Sequence, residues 1–198
     1  MRILPVSVLL LSAAAMSACE TTQDQATMSG FTSPSSTGRI SGDLSGNPVV
    51  PIIDEDGDGF SFTAGSVSGE GLKAVAGLVA GTDVSFRPSV GSASYDGVYA
   101  LTYVDDISLD NGYIRGERDA TSGAITLTAD FARGTLVSSN SPVTVNGKLD
   151  GRDLSGTVSY RGVNGQLDGL VGGDKTVGAF HGNNANLIYA GGFIAYRE

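Results

Sequence analysis

One cysteine, one histidine and no tryptophan occur among the 198 residues of the chain, and each scarcity excludes something. A single thiol closes no disulfide within the chain, so the fold must rest on its core alone. One histidine with no second thiol falls short of the several N and S ligands that a zinc centre takes. It also leaves His-dependent nucleophilic catalysis without an evident partner. Basic residues are sparse: 12 Lys and Arg against 21 Asp and Glu give a formal charge of −9. That balance argues against nucleic acid or an anionic lipid surface as a partner, since both call for a basic patch. A basic partner, or one recognised without charge, fits better. Long apolar runs are missing as well. The stretch Ile3–Ala15 is shorter than the roughly 20 residues of a spanning helix, and the next, Leu72–Ala80, carries Lys73 and Gly77. The chain is therefore expected to be soluble apart from any anchor. What is plentiful is glycine, 29 residues without a Gly-X-Y period, set among alternating apolar and polar residues and often beside Asp or Asn. Collagen is excluded, and an all-β chain of strands and tight turns is indicated.

The first 18 residues read as a cleaved export signal: Arg2, the apolar stretch, then the small pair Ser17 and Ala18. Cys19 follows directly, and Glu20 opens a polar run. This arrangement resembles the lipobox of bacterial lipoproteins, with Met16 where Leu is commonest. The resemblance implies a diacylglycerol on the Cys19 sulfur and an acyl chain such as palmitate on its freed amine. Several chains together hold a protein at a membrane, where one alone binds marginally. Glu20, which is not Asp, favours the outer membrane by the sorting rule that accompanies the lipobox. The alternative is a secreted protein with a chance cysteine. Cleavage also removes Arg2, leaving 180 residues and about −10.

Residues 19–38, rich in Thr, Ser and Gln, are expected to be a disordered tether. Residues 39–90 form a β-rich segment in which Phe60–Thr63 and Thr82–Phe86 alternate as strands do. There Leu72, Val75, Ala76 and Val79 follow helical spacing and predict a short helix or an extended loop. From Gly91 a period of two takes over. Ala93, Tyr95, Gly97, Tyr99, Leu101 and Tyr103 share a face, with the tyrosines assigned to the core. Ile125 to Phe131, Val143 to Leu149, Leu154 to Tyr160, Val163 to Val171, Thr176 to Phe180 and Leu187 to Tyr196 continue the pattern. Asp150-Gly151 and Arg161-Gly162 read as hairpin turns. Asp105-Asp106 suggests paired carboxylates, but adjacent strand residues point to opposite faces, so the pair is read as a turn. Strands joined by short turns pair antiparallel, and closure removes exposed edges. The expected fold is an eight-stranded up-and-down β-barrel over residues 91–198, with a two-sheet sandwich as second choice. Polar outward residues argue against a membrane-spanning barrel.

Val177-Gly178-Ala179-Phe180-His181-Gly182-Asn183-Asn184-Ala185 and then Ala190-Gly191-Gly192-Phe193 resemble a G-x-F-x-G-x-x-A…G-G-x-F signature. It closes the barrel domains of bacterial transferrin-binding protein B and its relatives. The resemblance covers roughly residues 91–198 and includes Leu127–Phe131, Gly134–Leu136 and the hairpin from Val143 to Val158. It implies an eight-stranded barrel beside a smaller handle domain, here residues 39–90. It also implies an outer-membrane lipoprotein that captures iron carriers, haem carriers or other host proteins. No ligand-contacting residues are carried over.

Among polar clusters, Asp54, Asp56, Asp58 and Gly59 occupy positions 1, 3, 5 and 6 of a D-x-D-x-D-G calcium loop. The twelfth position is Gly65 where a bidentate Glu belongs, so a weak Ca²⁺ site competes with a solvated acidic turn. Gly69-Glu70-Gly71-Leu72-Lys73-Ala74 matches G-x-G-x-x-A but lacks the repeated βαβ frame a dinucleotide site needs. His181 is assigned a structural role ahead of haem ligation. No constellation supports an enzyme. The reading is a lipid-anchored, non-catalytic binding module whose partner is a protein or a haem or iron carrier. A structural envelope lipoprotein is the alternative. A carrier with an apolar ligand inside is disfavoured by inward glycines and bulky residues, which suggest a filled interior.

Overall fold

The computed structural model describes residues 27–41, 47–67, 71–110, 113–139 and 141–198, and no helix occurs among them. Cys19 and the signal segment lie outside the described residues. Four strands form a small sheet: β1 (Met28–Phe31), β2 (Val50–Ile53), β3 (Gly59–Val67) and β4 (Gly71–Leu78). Their order is β1-β4-β3-β2, with β1 parallel to β4 and the other pairs antiparallel. Eight more follow: β5 (Ser92–Asp110), β6 (Tyr113–Asp130), β7 (Thr135–Ser139), β8 (Val143–Asp150), β9 (Asp153–Tyr160), β10 (Val163–Val171), β11 (Lys175–Asn183) and β12 (Ile188–Arg197). Each pairs antiparallel with the next, and β12 returns to β5, so the barrel closes. The expected eight-stranded up-and-down barrel preceded by a handle is the observed architecture.

The period-two pattern explains the barrel interior. Tyr95, Leu101, Ile125, Leu127, Leu136, Val145, Val158, Phe180 and Phe193 all point inward and are buried together, as are Tyr99 and Tyr103. Thr144, Asn146, Ser155, Thr157, Asn164 and Gln166, between them, face outward. Inward glycines sit opposite aromatic rings. Gly178 is paired with Phe193, Gly182 with Tyr189 and Gly123 with Tyr99, and in each pair the ring lies over the glycine. A narrow barrel can hold that many rings because the strand beneath each one lacks a side chain.

A second core lies outside the barrel wall. Phe60, Phe62, Ala64, Leu72, Ala74 and Ala76 of the handle pack on Val104, Val177, Ala179, Ile188, Ala190 and Ile194. β11 and β12 are therefore buried on both faces, which is why their sequences run apolar without clean alternation. The handle covers the seam where β12 meets β5. Replacing Phe60, fully buried, with Ala is expected to cost about 3–5 kcal/mol. Thermal unfolding would read that loss, and early cleavage within residues 47–78 would show the handle lifting from the wall.

Four expectations need correction. Leu72–Leu78 is strand β4, neither helix nor loop. Its apolar residues at helical spacing serve two buried faces, since Val75 and Gly77 are covered from the other side. A Cβ at Gly77 would collide with the Thr32 carbonyl. The stretch 19–38 is not all tether: Met28–Phe31 pairs with β4, and Thr32 donates its N–H to Ala76 O at 2.9 Å. Thr82–Phe86 is no strand, because side chains take its backbone groups. Asp58 Oδ1 accepts the Asp83 N–H at 2.7 Å, and Arg152 donates to Val84 O at 2.6 Å. This connector crosses one end of the barrel, where Val84 is buried. Finally, Asp105-Asp106 lies within β5 at a bulge, with Asp106 at φ 49°, a left-handed value that Asp tolerates.

The barrel thus has two unlike ends. The connector end holds residues 79–91 and the turns at 131–134, 151–152 and 172–174. The hairpin end holds the turns at 161–162 and 184–187 and a ribbon made by β5 and β6. That ribbon continues beyond Val104, the residue paired with the first residue of β12.

Candidate functional site

The three predicted calcium-loop aspartates do come together, around a cation that the chain itself supplies. The β2–β3 turn folds on Asp54, whose Oδ1 accepts the N–H groups of Asp56 (3.0 Å) and Asp58 (2.9 Å). Gly57, at φ 88°, makes the bend possible. One carboxylate oxygen from each aspartate lies within 4.8 Å of the others. Lys175, the first residue of β11, places Nζ among them, 3.1 Å from Asp54 and from Asp56 and in short contact with Asp58. Tyr196 donates its hydroxyl to Asp54 at 3.1 Å. Asp58 and Lys175 are buried, and Asp56 is exposed.

Burial alone would raise the Asp54 carboxyl, but the hydrogen bonds from Asp58 N–H, Lys175 and Tyr196 hold it below the usual range. Burial would likewise lower Lys175, and the hydrogen bonds to Asp58, Asp56 and Asp54 raise it instead. Tyr196 is pushed up to about 12, by burial first and then by Asp54. The signs define a window. The Asp54 contribution is full above about pH 4 and fades as pH falls through its lower folded value. The Lys175 contribution is full below about pH 10 and fades only as pH rises through its higher folded value. Since the aspartates belong to the handle and the lysine to the barrel, the cluster is an ionic clamp between them. Sequence reasoning found the aspartates and missed Lys175 and Tyr196. The available signal was a lone lysine heading an apolar strand.

His181 faces outward from β11 into a second handle contact. Its Nδ1 lies 2.8 Å from Ser29 Oγ, and Ser29 Oγ donates to Asn183 Oδ1 at 2.7 Å. The serine has one proton, already given to Asn183, so His181 is the donor and carries hydrogen on Nδ1. The pair is accordingly no nucleophile–base couple. Phe31 meets the imidazole edge-on, with ring centroids 4.5 Å apart. Thr27 completes the clasp: its hydroxyl donates to Asn184 O at 2.9 Å, and Asn183 donates to Thr27 O at 2.8 Å. Burial lowers the His181 pKa. A histidine kept neutral in the fold costs stability when it must charge. Stability is therefore expected to be full above about pH 6.5 and to fall as pH drops through the lower folded value. His181→Gln should flatten that slope in denaturant titrations between pH 5 and 7.

At the hairpin end Arg161, at φ 48° in the β9–β10 turn, lies over the rings of Tyr103 and Tyr160, 4.4 and 5.4 Å from their centroids. It donates to Asp105 at 2.8 Å and to the Tyr103 hydroxyl at 3.0 Å, and Tyr103 donates to Asp119 at 3.0 Å. This closes the barrel mouth with every named group partnered. At the connector end Phe86 is 93% exposed, with Val90 also exposed nearby in the same segment.

A closed eight-stranded barrel with its core inside and a small handle sheet riveted over the seam defines the class by fold: an all-β barrel with a handle. Solved structures share that fold. A surface lipoprotein matches with a TM-score of 0.51 and 16% identity over 79% of this chain and 83% of its own. Transferrin binding protein B from Actinobacillus pleuropneumoniae matches with 0.51 and 16% over 77% and 81%. The haemoglobin receptor HpuA from Kingella denitrificans matches with 0.44 and 14% over 78% of this chain, which spans 63% of the receptor. At these identities the likeness is one of fold. No protein-family model matches the chain, and no curated protein matches it.

Proposed function

We propose that the chain is a lipid-anchored, non-catalytic binding module of the outer membrane, held through acylated Cys19, that captures a host protein or a haem or iron carrier on its outer surface. The observation carrying this reading is the filled barrel. Tyr95, Leu101, Leu127, Phe180, Tyr189 and Phe193 occupy the interior, so recognition falls to loops and outer faces. The shared fold with transferrin binding protein B supports the same reading, and so does a histidine whose proton serves the clasp. The acidic balance fits a basic protein surface. Lys175 at the meeting point of the three aspartates supports function without a bound cofactor, calcium included.

The test immobilises the mature protein and offers transferrin, haemoglobin and haemin separately, alongside protease treatment of intact cells. Retention of one probe at micromolar affinity or better, with loss of the protein to protease, is the expected result. Retention of none, together with crosslinking on cells solely to envelope proteins, would establish the structural envelope lipoprotein instead.

A further inference from the structure

The point where the chain enters the described structure is fixed, and it lies at one pole of the barrel. Thr27 is bonded to Asn183 and Asn184 in the β11–β12 turn, and Ser29 to His181 and Asn183. From there β1 runs away from the turn, so the chain enters the described structure at the hairpin end. Only eight Cα–Cα steps separate Cys19 from Thr27. Fully extended they span at most about 29 Å, and a flexible chain of that length averages roughly 15 Å end to end. β11, from Asn183 back to Lys175, rises about 26 Å, which puts the connector end that much farther from the anchor.

Resting on the acylation of Cys19 proposed above, we infer that the molecule stands with its hairpin end toward the lipid surface. The β5–β6 ribbon is then its closest approach, and the connector end is the pole turned to the partner. The ribbon fits that place. It continues past the last β5–β12 pair at Val104 for about 20 Å of strand length, with Ile107 and Ile114 against the handle core and Leu109 62% exposed. Its long edge, from Tyr113 to Ile125, pairs with β5 alone among the described residues. The opposite pole presents Phe86 and Val90, on the order of 40 Å from the lipid. Even fully extended at about 29 Å, eight steps barely exceed the rise of β11, so the anchor is held nearer the hairpin end than the connector end.

The test uses the acylated full chain in vesicles carrying an acceptor dye on the lipid headgroups. Acylation consumes the sole native thiol, so Leu109→Cys and Phe86→Cys each offer one labelling position. Energy transfer from position 109 is expected to exceed that from position 86 at least threefold. Equal transfer, or stronger transfer from position 86, overturns the orientation. Mass spectra of the same samples read the acyl chains. An unmodified Cys19 removes the anchor, and the orientation falls with it. Full acylation with reversed transfer overturns the orientation alone. Thermal unfolding of both labelled proteins at the wild-type temperature shows that the comparison is made on folded chains.

Discussion

Lys175→Met is expected to lower the melting temperature by about 6–20 °C. The side chain keeps an unbranched apolar stem and loses its charged end, so Asp54 and Asp58 are left as uncompensated carboxylates at the base of the handle. Breaking a buried ion pair from one side costs about 3–5 kcal/mol, and each kcal/mol moves a domain of this size by about 2–4 °C. Asp58→Asn in the same background should restore part of the loss, because the stranded charge is what costs most. The wild type should be indifferent to millimolar calcium or to a chelator, because the ammonium occupies the place where the carboxylates converge. Calorimetry of the wild type, the single variant and the double variant, the wild type with and without calcium, checks all three statements. An unchanged melting temperature for Lys175→Met would mean that the clamp contributes nothing.

Gly178→Val is expected to prevent folding of the barrel or to leave it destabilised by about 3 kcal/mol. A Cβ at this position would press into the Phe193 ring, which is fully buried with no direction in which to retreat. Overpacking of a dense core usually costs about 1–3 kcal/mol, and a ring trapped between strands belongs at the top of that range. Phe193→Leu in combination should recover folding in part by clearing the space. Loss of cooperative unfolding in the single variant and its return in the double is the pattern to look for by circular dichroism. Gly182→Val against Tyr189 is the parallel case at the other end of the strand.

These two sites show how differently parts of the structure could be read from the sequence. The barrel was legible because Val143 to Val171 alternate cleanly, one face to the core and one to water. The glycine signature in β11 and β12 was legible as a pattern, but its reason was not. Gly178 and Gly182 lie under rings of the neighbouring strand inside the barrel, and Gly192 lies under Phe60 of the handle outside it. The handle was the hardest part. β4 is buried on both faces, so no period of two survived, and its apolar residues fell by chance at helical spacing. The stretch of β6 from Ile114 to Ala124 gave no strand signal because it is polar and largely exposed. Of the ionic clamp, the aspartates were visible as a motif, whereas Lys175 lies 117 residues beyond Asp58 and reaches it only through the fold.

The handle lies across the join between the first and last barrel strands, and this bears on how the protein is made. β5 cannot find β12 until the final residues exist, and β1, near the start of the chain, finds the partners of Ser29 and Thr27 some 150 residues later. Contacts so remote in sequence delay folding, because the loops between them must close before any reward is felt. The barrel is therefore expected to close late, when β12 docks between β11 and β5 beneath the handle. A nascent protein shortened by even β12 would forfeit the sheet built from its beginning as well as the barrel built from its end.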